Sequence, residues 1–166
     1  LVGVLFLFSN YLIIKIMNTD YKVAEVELSY RNRVPYKDRK KVVTSEDAYN
    51  ILLNNHDDDT IDYTETFKVL YLNHAGQVVG CKTLSTGGIT ATCVDVRNIM
   101  QAALLSNATA MVLAHNHPSG NLKPSEPDKV MTEKIKKALT AMDTHLLDHL
   151  IVTRESYFSF TDEELN

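Results

Sequence analysis

Hydrophobic and polar positions change period along the chain, and these changes predict strands and helices in turn. Residues 66 to 73 (TFKVLYLN) are typical of a strand, and residues 110 to 114 (AMVLA) of a strand buried on both faces. Residues 94 to 108 (VDVRNIMQAALLSNA) have the spacing of a helix. A second long helix is predicted from about Glu126 to Ala141, with Pro127 in the first turn, where a missing N–H is harmless. Because strands and helices interleave, we expect an α/β domain.

Caps and turn formers mark the ends of further elements. Thr44 followed by Asp47 matches a capping box, so we predict a helix there with an apolar face at Ala48, Ile51 and Leu52. Shorter segments complete the pattern: an apolar partner behind the first strand (HAGQVVG), a turn or bulge with paired glycines (KTLSTGGITA), and two β-rich segments near the end (LLDHLIVT and YFSFT).

Composition divides the chain into three parts. Residues 1 to 16 are an apolar leader, and we expect either that translation begins at Met17 or that this leader packs poorly. Its apolar run is shorter than the roughly twenty residues that span a bilayer, so no membrane anchor is expected. Residues 17 to 40 hold a predicted strand, serving as an edge strand or arm over residues 21 to 30, and then a basic linker. Residues 41 to 166 form the domain proper.

Charge and cysteine content narrow the class of partner and compartment. The formal net charge of -4 gives the chain no overall attraction to phosphate, so nucleic acid is not the default partner. Cys81 and Cys93 are too few for a secreted disulfide framework, which favours a reducing, cytoplasmic compartment. Solvated charge explains the basic linker, and contact with nucleic acid is its functional alternative. The basic residues of the linker are Arg31, Arg33, Lys37, Arg39, Lys40 and Lys41.

Two histidines and an aspartate are placed to meet beyond the buried strand. His115 and His117 follow it directly, and because side chains alternate across a strand, both imidazoles lie on one side and Asn116 on the other. Asp128 lies in the first turn of the next helix, so a compact loop can bring its carboxylate to the same point. Three N and O ligands with one position left to water are typical of catalytic zinc sites. We predict one zinc ion held by His115, His117 and Asp128.

Each of these residues also has a simpler interpretation. Ser125 with Asp128 satisfies a capping box, which needs no metal, and a histidine beside a core strand is usually only hydrogen-bonded. Capping and metal binding are compatible, because a helix N-terminus stabilises a carboxylate. His56 beside the acidic run that follows it is interpreted as part of an exposed polar loop rather than a metal site.

The string HNHPSGNLKPSEPD resembles a known family signature. It fits the HxHPx6SxxD pattern of the JAMM, or MPN-plus, metalloproteases, with His115, His117, Pro118, Ser125 and Asp128 in the signature positions. The segment HNHPSG, with LLDHLIV and YFSF downstream, resembles the RadC-like bacterial branch, whose members have long been labelled as DNA-repair proteins. The resemblance implies a three-layer α/β/α domain with a curved mixed sheet, related in shape to cytidine deaminases, that binds one zinc ion.

The same resemblance implies two catalytic residues. Glu65, ahead of the strand TFKVLYLN, matches the family glutamate that handles the proton of the attacking water. Ser125 matches the serine whose hydroxyl stabilises the oxyanion forming on the scissile carbonyl. Asp148 and His149 are interpreted as a buried hydrogen-bonded pair or as support for the ligands, outside catalysis.

Two functions remain open at this point. The first is a zinc-dependent hydrolase, a protease of peptidase or isopeptidase type whose substrate is unknown. The second is an accessory protein of DNA repair, recombination or mobile-element maintenance, with the basic linker on nucleic acid. The helical N-terminal region of longer RadC-like proteins has no counterpart in this sequence, which weakens the second. A zinc base deaminase would need a PCxxC pair that the sequence lacks.

Overall fold

The computed structural model describes residues 26–57, 59–87 and 94–163. Both alternatives for the leader before Met17 concern residues outside these ranges, as do the last four residues of the paired-glycine segment and Cys93. The elements are α1 (Ser45–Asn54), β1 (Thr66–Leu72), β2 (Val78–Thr86), α2 (Val96–Ser106), β3 (Ala110–Asn116), α3 (Glu126–Thr140), β4 (His145–Val152) and β5 (Tyr157–Ser159), with a short 3₁₀ helix at Tyr36–Asp38 before them.

The strands form one mixed sheet in the order β2-β1-β3-β4-β5. β3 and β4 run parallel, with α3 as the crossover between them, and the other neighbouring pairs are antiparallel. Register shifts interrupt β1 against β2 and β3 against β4, and such bulges bend a strand and increase its twist. The predicted α/β fold with a mixed sheet is confirmed.

Helices cover the sheet on both faces, which gives the three predicted layers. Alternate residues of β1 divide between two apolar clusters. Val69 and Tyr71 pack with α2 and α3, whereas Leu70 and Leu72 pack with α1. β3 is buried along almost its whole length, as expected for a central strand. The site described below therefore lies at the end of a buried central strand.

The helix starts follow the predicted caps. Thr44 accepts a hydrogen bond from the backbone of Asp47, whose carboxylate accepts one in return, and α1 begins directly after. Ser125 and Asp128 form the same reciprocal box at the start of α3. The capping interpretation of Ser125 and Asp128 is thus correct as far as the fold is concerned, and it fixes the carboxylate of Asp128 in the first turn.

The segment before the domain differs from the prediction. Residues 26 to 30, which belong to the predicted strand over residues 21 to 30, form no strand, and Val26 and Leu28 are 83% and 80% exposed. Apolar and polar residues alternate here, but the segment contacts β2 through side chains and not through a ladder of backbone hydrogen bonds. The hydroxyl of Tyr30 and the amide of Asn32 both donate to the carbonyl of Val79.

The basic run that follows is attached to the domain more firmly than a free linker would be. Val78 donates its backbone N–H to Lys40, and Val42 donates to Gly76, so the chain extends the turn between β1 and β2. Gly76 has a positive φ of 72° and would place a side chain 3.0 Å from the carbonyl of Val42, which explains the glycine. Within the described residues, none of the helices combines the length and apolar character needed to cross a membrane.

Candidate metal centre

The end of β3 sends consecutive polar side chains to opposite faces of the sheet. His115 is 2% exposed and lies on the face covered by α2 and α3, where its ring stacks on Phe67 of β1 at 6.2 Å between centroids. Asn116 is 1% exposed and points to the other face. His117 follows the strand and returns to the face of His115, with the two rings 4.7 Å apart. The predicted alternation around Asn116 is confirmed.

His115, His117 and Asp128 come together at the start of α3. One ligand atom from each lies within 4.8 Å of the other two, so this group could hold a metal ion. The Nε2 atoms of the two histidines are 3.0 Å apart. Nε2 of His115 is 3.4 Å from Oδ1 of Asp128, and Nε2 of His117 is 4.0 Å from Oδ2. Three potential ligand atoms, from β3, from the residue that follows it and from α3, therefore face one another.

The two oxygens of Asp128 do different things. Oδ2 accepts from the backbone N–H and the hydroxyl of Ser125, at 2.7 and 2.6 Å. Oδ1 faces His115. Burial alone would raise the pKa of Asp128, but the hydrogen bonds from the hydroxyl and the backbone N–H of Ser125 favour the ionised form and help to hold this pKa well below its usual range. The carboxylate is therefore ionised at any physiological pH, with one oxygen held by the cap and the other turned to the histidines.

The ring of His117 is oriented by the loop that follows it. Its Nδ1 lies at hydrogen-bonding distance from the backbone carbonyl of Asn121, which can only accept. Nδ1 therefore carries the proton, and Nε2 presents a lone pair to the centre in the neutral ring. The turn has Gly120 at a positive φ of 75°, which a glycine adopts without strain.

A second polar layer lies behind His115. Its Nδ1 is 2.9 Å from Nε2 of His149 on β4, and Nδ1 of His149 is 2.6 Å from the hydroxyl of Thr132 on α3. Burial, with His115 as the second cause, holds the pKa of His149 well below its usual range, so its ring is neutral. Thr132 in turn contacts the backbone carbonyl of Asp128 at 2.7 Å.

Glu65 and Ser125 lie at the same opening. A cavity of about 320 Å³ is lined by Glu65, Ser125 and the three candidate ligands. Glu65 precedes β1 by one residue, two positions before Phe67, which pairs with His115 on β3. Ser125 donates its hydroxyl to Asp128 in this structure.

A second hollow of about 320 Å³ adjoins the first and shares its central residues with it. Glu65, His117 and Ser125 line both hollows. The first is completed by apolar side chains, among them Val94 and Met131. The second is completed by Tyr63, Pro118, Ser119, Asn121 and Lys123. The candidate centre thus lies where two adjoining hollows meet.

The structure adds to what the sequence predicted for four residues around the centre. Thr132 was not predicted, although its position one helical turn after Asp128 was a usable signal. Both interpretations of Asp148 and His149 have a counterpart in the structure: the ring of His149 contacts His115, and the carboxylate of Asp148 accepts from the backbone N–H of His149 at 2.8 Å and from Ser159 at 2.7 Å. His56 lies in a loop whose neighbours Asn55 and Asp57 are exposed, as predicted, but its own ring is half-buried, with Nε2 2.7 Å from the hydroxyl of Thr66. A histidine next to an acidic run gave no sign of that contact.

Comparison with known proteins agrees with this architecture. A UPF0758 protein of Flavobacterium johnsoniae is 43% identical over 144 residues, which cover 85% of this chain and 61% of that protein. The UPF0758 protein YeeS of Escherichia coli K12 is 46% identical over 101 residues, covering 61% of this chain and 68% of the relative. A UPF0758 protein of Porphyromonas gingivalis is 46% identical over 102 residues, which are 45% of its length.

The chain therefore spans less than two thirds of the length of the Flavobacterium and Porphyromonas relatives. A family model described as the RadC-like JAB domain matches residues 42–165, which include the whole sheet, all three α-helices and every residue of the candidate centre. On this evidence the chain belongs to the RadC-like JAB domain family.

Proposed function

We propose that this protein is a zinc-dependent hydrolase that cleaves peptide or isopeptide bonds, with His115, His117 and Asp128 as metal ligands and Glu65 as the acid/base residue. The observation that carries the proposal is the convergence of two imidazole nitrogens and one carboxylate oxygen within 4.8 Å of one another at the mouth of a cavity. A set of two imidazoles and one carboxylate suits zinc and leaves one coordination position open.

The donor atoms fit a cation better than they fit each other. His117 turns a lone pair to the centre because its other nitrogen donates to Asn121, and Oδ1 of Asp128 belongs to an ionised carboxylate. Acceptors brought this close without a donor between them repel, and a divalent ion removes the repulsion. When bound, zinc supplies a Lewis acid that makes water nucleophilic near neutral pH.

The residues of the chain would divide the remaining work. The carboxylate of Glu65 takes the proton of the attacking water and returns it to the departing nitrogen, a role worth about 10² to 10⁴ in rate. The hydroxyl of Ser125 rotates from Asp128 towards the oxygen of the scissile carbonyl, while its backbone N–H keeps holding Oδ2. The cap of α3 therefore stays closed when the hydroxyl moves.

The two adjoining hollows support an extended substrate. A chain laid across Glu65, His117 and Ser125 would place its scissile bond at the centre, with apolar surface on one side and Lys123 with Tyr63 on the other. Substrate held on both sides of the reacting bond is the positioning that hydrolysis needs. A peptide or an isopeptide-linked tail has this shape.

Cleavage of a peptide library, read by mass spectrometry, tests the proposal on zinc-loaded protein. The native protein should cut, and Glu65→Gln should lose at least about 100-fold in rate while it keeps its zinc. Glu133→Gln, on the exposed side of α3, is the matched control and should cut normally. Equal cleavage by Glu65→Gln, or no cleavage by native protein that holds zinc, would rule the proposal out.

A second candidate function, as a nucleic-acid-associated accessory protein, has one observation in its favour. The basic run is anchored along the sheet edge through Lys40 and Val42, so its charges are presented in a fixed place. Binding to duplex DNA should then weaken steeply with salt and fall when Arg39, Lys40 and Lys41 are changed to Gln. Binding that ignores both changes would exclude this function for the basic run.

A further inference from the structure

The hydroxyl of Thr132 determines which atom donates in each hydrogen bond of the chain that leads to His115. Oγ1 of Thr132 lies 2.7 Å from the backbone carbonyl of Asp128. A carbonyl oxygen only accepts, so the single hydroxyl proton of Thr132 points at Asp128. Thr132 is 3% exposed, and its hydroxyl is therefore held inside the protein. The oxygen of this hydroxyl is left as an acceptor for its other neighbour.

That neighbour is His149, and the direction of the first bond decides its tautomer. Nδ1 of His149 is 2.6 Å from Oγ1 of Thr132 and must donate, because the proton of Thr132 is already used. His149 is 1% exposed and packs between the rings of Phe67 and Phe160. A neutral imidazole carries one N–H, so Nε2 of His149 is a lone pair.

The same step decides the tautomer of His115. Its Nδ1 is 2.9 Å from Nε2 of His149, which accepts, so Nδ1 of His115 carries the proton. Nε2 of His115 then presents a lone pair to His117 and Asp128. We infer that Thr132 and His149 are positioning residues that fix His115 in its Nδ1–H tautomer and thereby prepare it to bind the metal. This inference rests on the metal site of the proposed function.

The path joins the two elements that supply ligands. It starts at the backbone carbonyl of Asp128 on α3, crosses β4 at His149 and ends at His115 on β3. Asp128 also offers its carboxylate to the centre, so a bound ion would close a ring through Asp128, Thr132, His149 and His115. The ring fixes the distance between strand and helix as well as the orientation of the imidazole, and outer partners of this kind tune metal affinity by about 10- to 100-fold.

A purely structural role is the competing explanation, since buried polar groups need partners wherever they lie. That role would change stability alone. The positioning role changes the affinity for zinc and the proton location on His115, and both can be measured apart from stability.

Zinc affinity, measured by competition with a chromophoric chelator, is the first readout. Thr132→Val keeps the shape and removes the hydroxyl, and it should weaken zinc binding about 10- to 100-fold. Thr132→Ser restores the hydroxyl and should bind close to the native value. Thr140→Val is the matched control, because Thr140 makes the same type of bond to the carbonyl of Lys136 on α3 away from the centre. Native affinity in folded Thr132→Val would overturn the inference.

Nitrogen-15 NMR of the histidine rings in the metal-free native protein is the second readout. His115 and His149 should both show the proton on Nδ1. A proton on Nε2 of either ring would overturn the inference, and this measurement decides the matter if Thr132→Val does not fold. It needs neither metal nor substrate, so its outcome is independent of peptide cleavage, on which the proposed function is tested.

Discussion

Consecutive residues at the end of β3 build two polar clusters of opposite character. On the α1 face, Asn116 donates to the carbonyls of Ile61 and Thr64 and accepts from the backbone and the hydroxyl of Thr66. On the α3 face, His115 instead meets other acceptors, the second histidine and the carboxylate of Asp128. One cluster is closed by its own hydrogen bonds, and the other is open to a cavity.

The closed cluster around Asn116 is expected to contribute to stability, and the open cluster around His115 to contribute to chemistry. A buried amide whose donors and acceptors are all used locks the approach to β1 and has nothing left to bind. A group of acceptors at the mouth of a cavity is the opposite case, because an added cation would remove the repulsion between them. Changes in the Asn116 cluster should therefore affect unfolding, and changes in the ligand cluster should affect metal binding.

The largest effect is expected from Asn116→Ala. The substitution leaves two carbonyls and one backbone N–H without their partner, and each such group costs about 1–3 kcal/mol, so we expect a loss of about 3–5 kcal/mol in the free energy of unfolding. Urea titration followed by circular dichroism measures it. Asn54→Ala on the exposed end of α1 is the control, with a change within about 0.5 kcal/mol. If Asn116→Ala lost no more free energy of unfolding than the control, the Asn116 cluster would not be the stabilising cluster described above.

His117→Ala should produce the reverse pattern. Removal of a direct ligand should weaken zinc binding by more than about 100-fold, beyond the range seen for outer partners, while the half-buried ring contributes little to stability. Calorimetric zinc titration gives the affinity. His74→Ala, an exposed histidine in the turn between β1 and β2, should bind zinc normally. Unchanged affinity in His117→Ala would remove this residue from the site.

Zinc itself should stabilise the fold through the open cluster. At a free concentration of about 100 times the dissociation constant, binding adds roughly 2.7 kcal/mol to the free energy of unfolding. The melting temperature of native protein should rise with zinc and fall again with a chelator, and that of His117→Ala should stay constant over the same range. An equal rise in both proteins would mean that zinc binds elsewhere.

The smallest effect is expected at the rim of the closed cluster. His56→Ala removes one hydrogen bond to Thr66, worth about 1 kcal/mol in the free energy of unfolding, and should leave zinc affinity unchanged. Urea and zinc titrations of the same preparation measure both quantities. A change in zinc affinity with no change in stability would show that His56 belongs to the ligand cluster and not to the Asn116 cluster.

The helices and strands of the domain were predictable because their signals are local. Capping boxes fix where α1 and α3 begin, and the apolar run before His115 marks the central strand. Alternation across that strand also separated Asn116 from the two histidines. Over its described part, residues 26 to 30, the predicted strand before the domain is absent, because alternation indicates a face without saying what covers it.

The rest of the site depends on contacts between residues far apart in the sequence. Glu65 was assigned by resemblance alone, since its place in the same cavity as His117 depends on the pairing of β1 with β3. The contact of His149 with His115 likewise requires the parallel pairing of β3 with β4. Neither register leaves a trace in composition or local period, which is why Thr132 was not predicted and support of His115 was only one of two interpretations of His149.

Elemental analysis of protein purified without added metal tests the central claim most directly. Native protein should carry one zinc per chain, His115→Ala should carry none, and Asn54→Ala should match the native protein. Absence of zinc from the native protein, even after dialysis against excess zinc, would contradict the account, as would retention of zinc by folded His115→Ala.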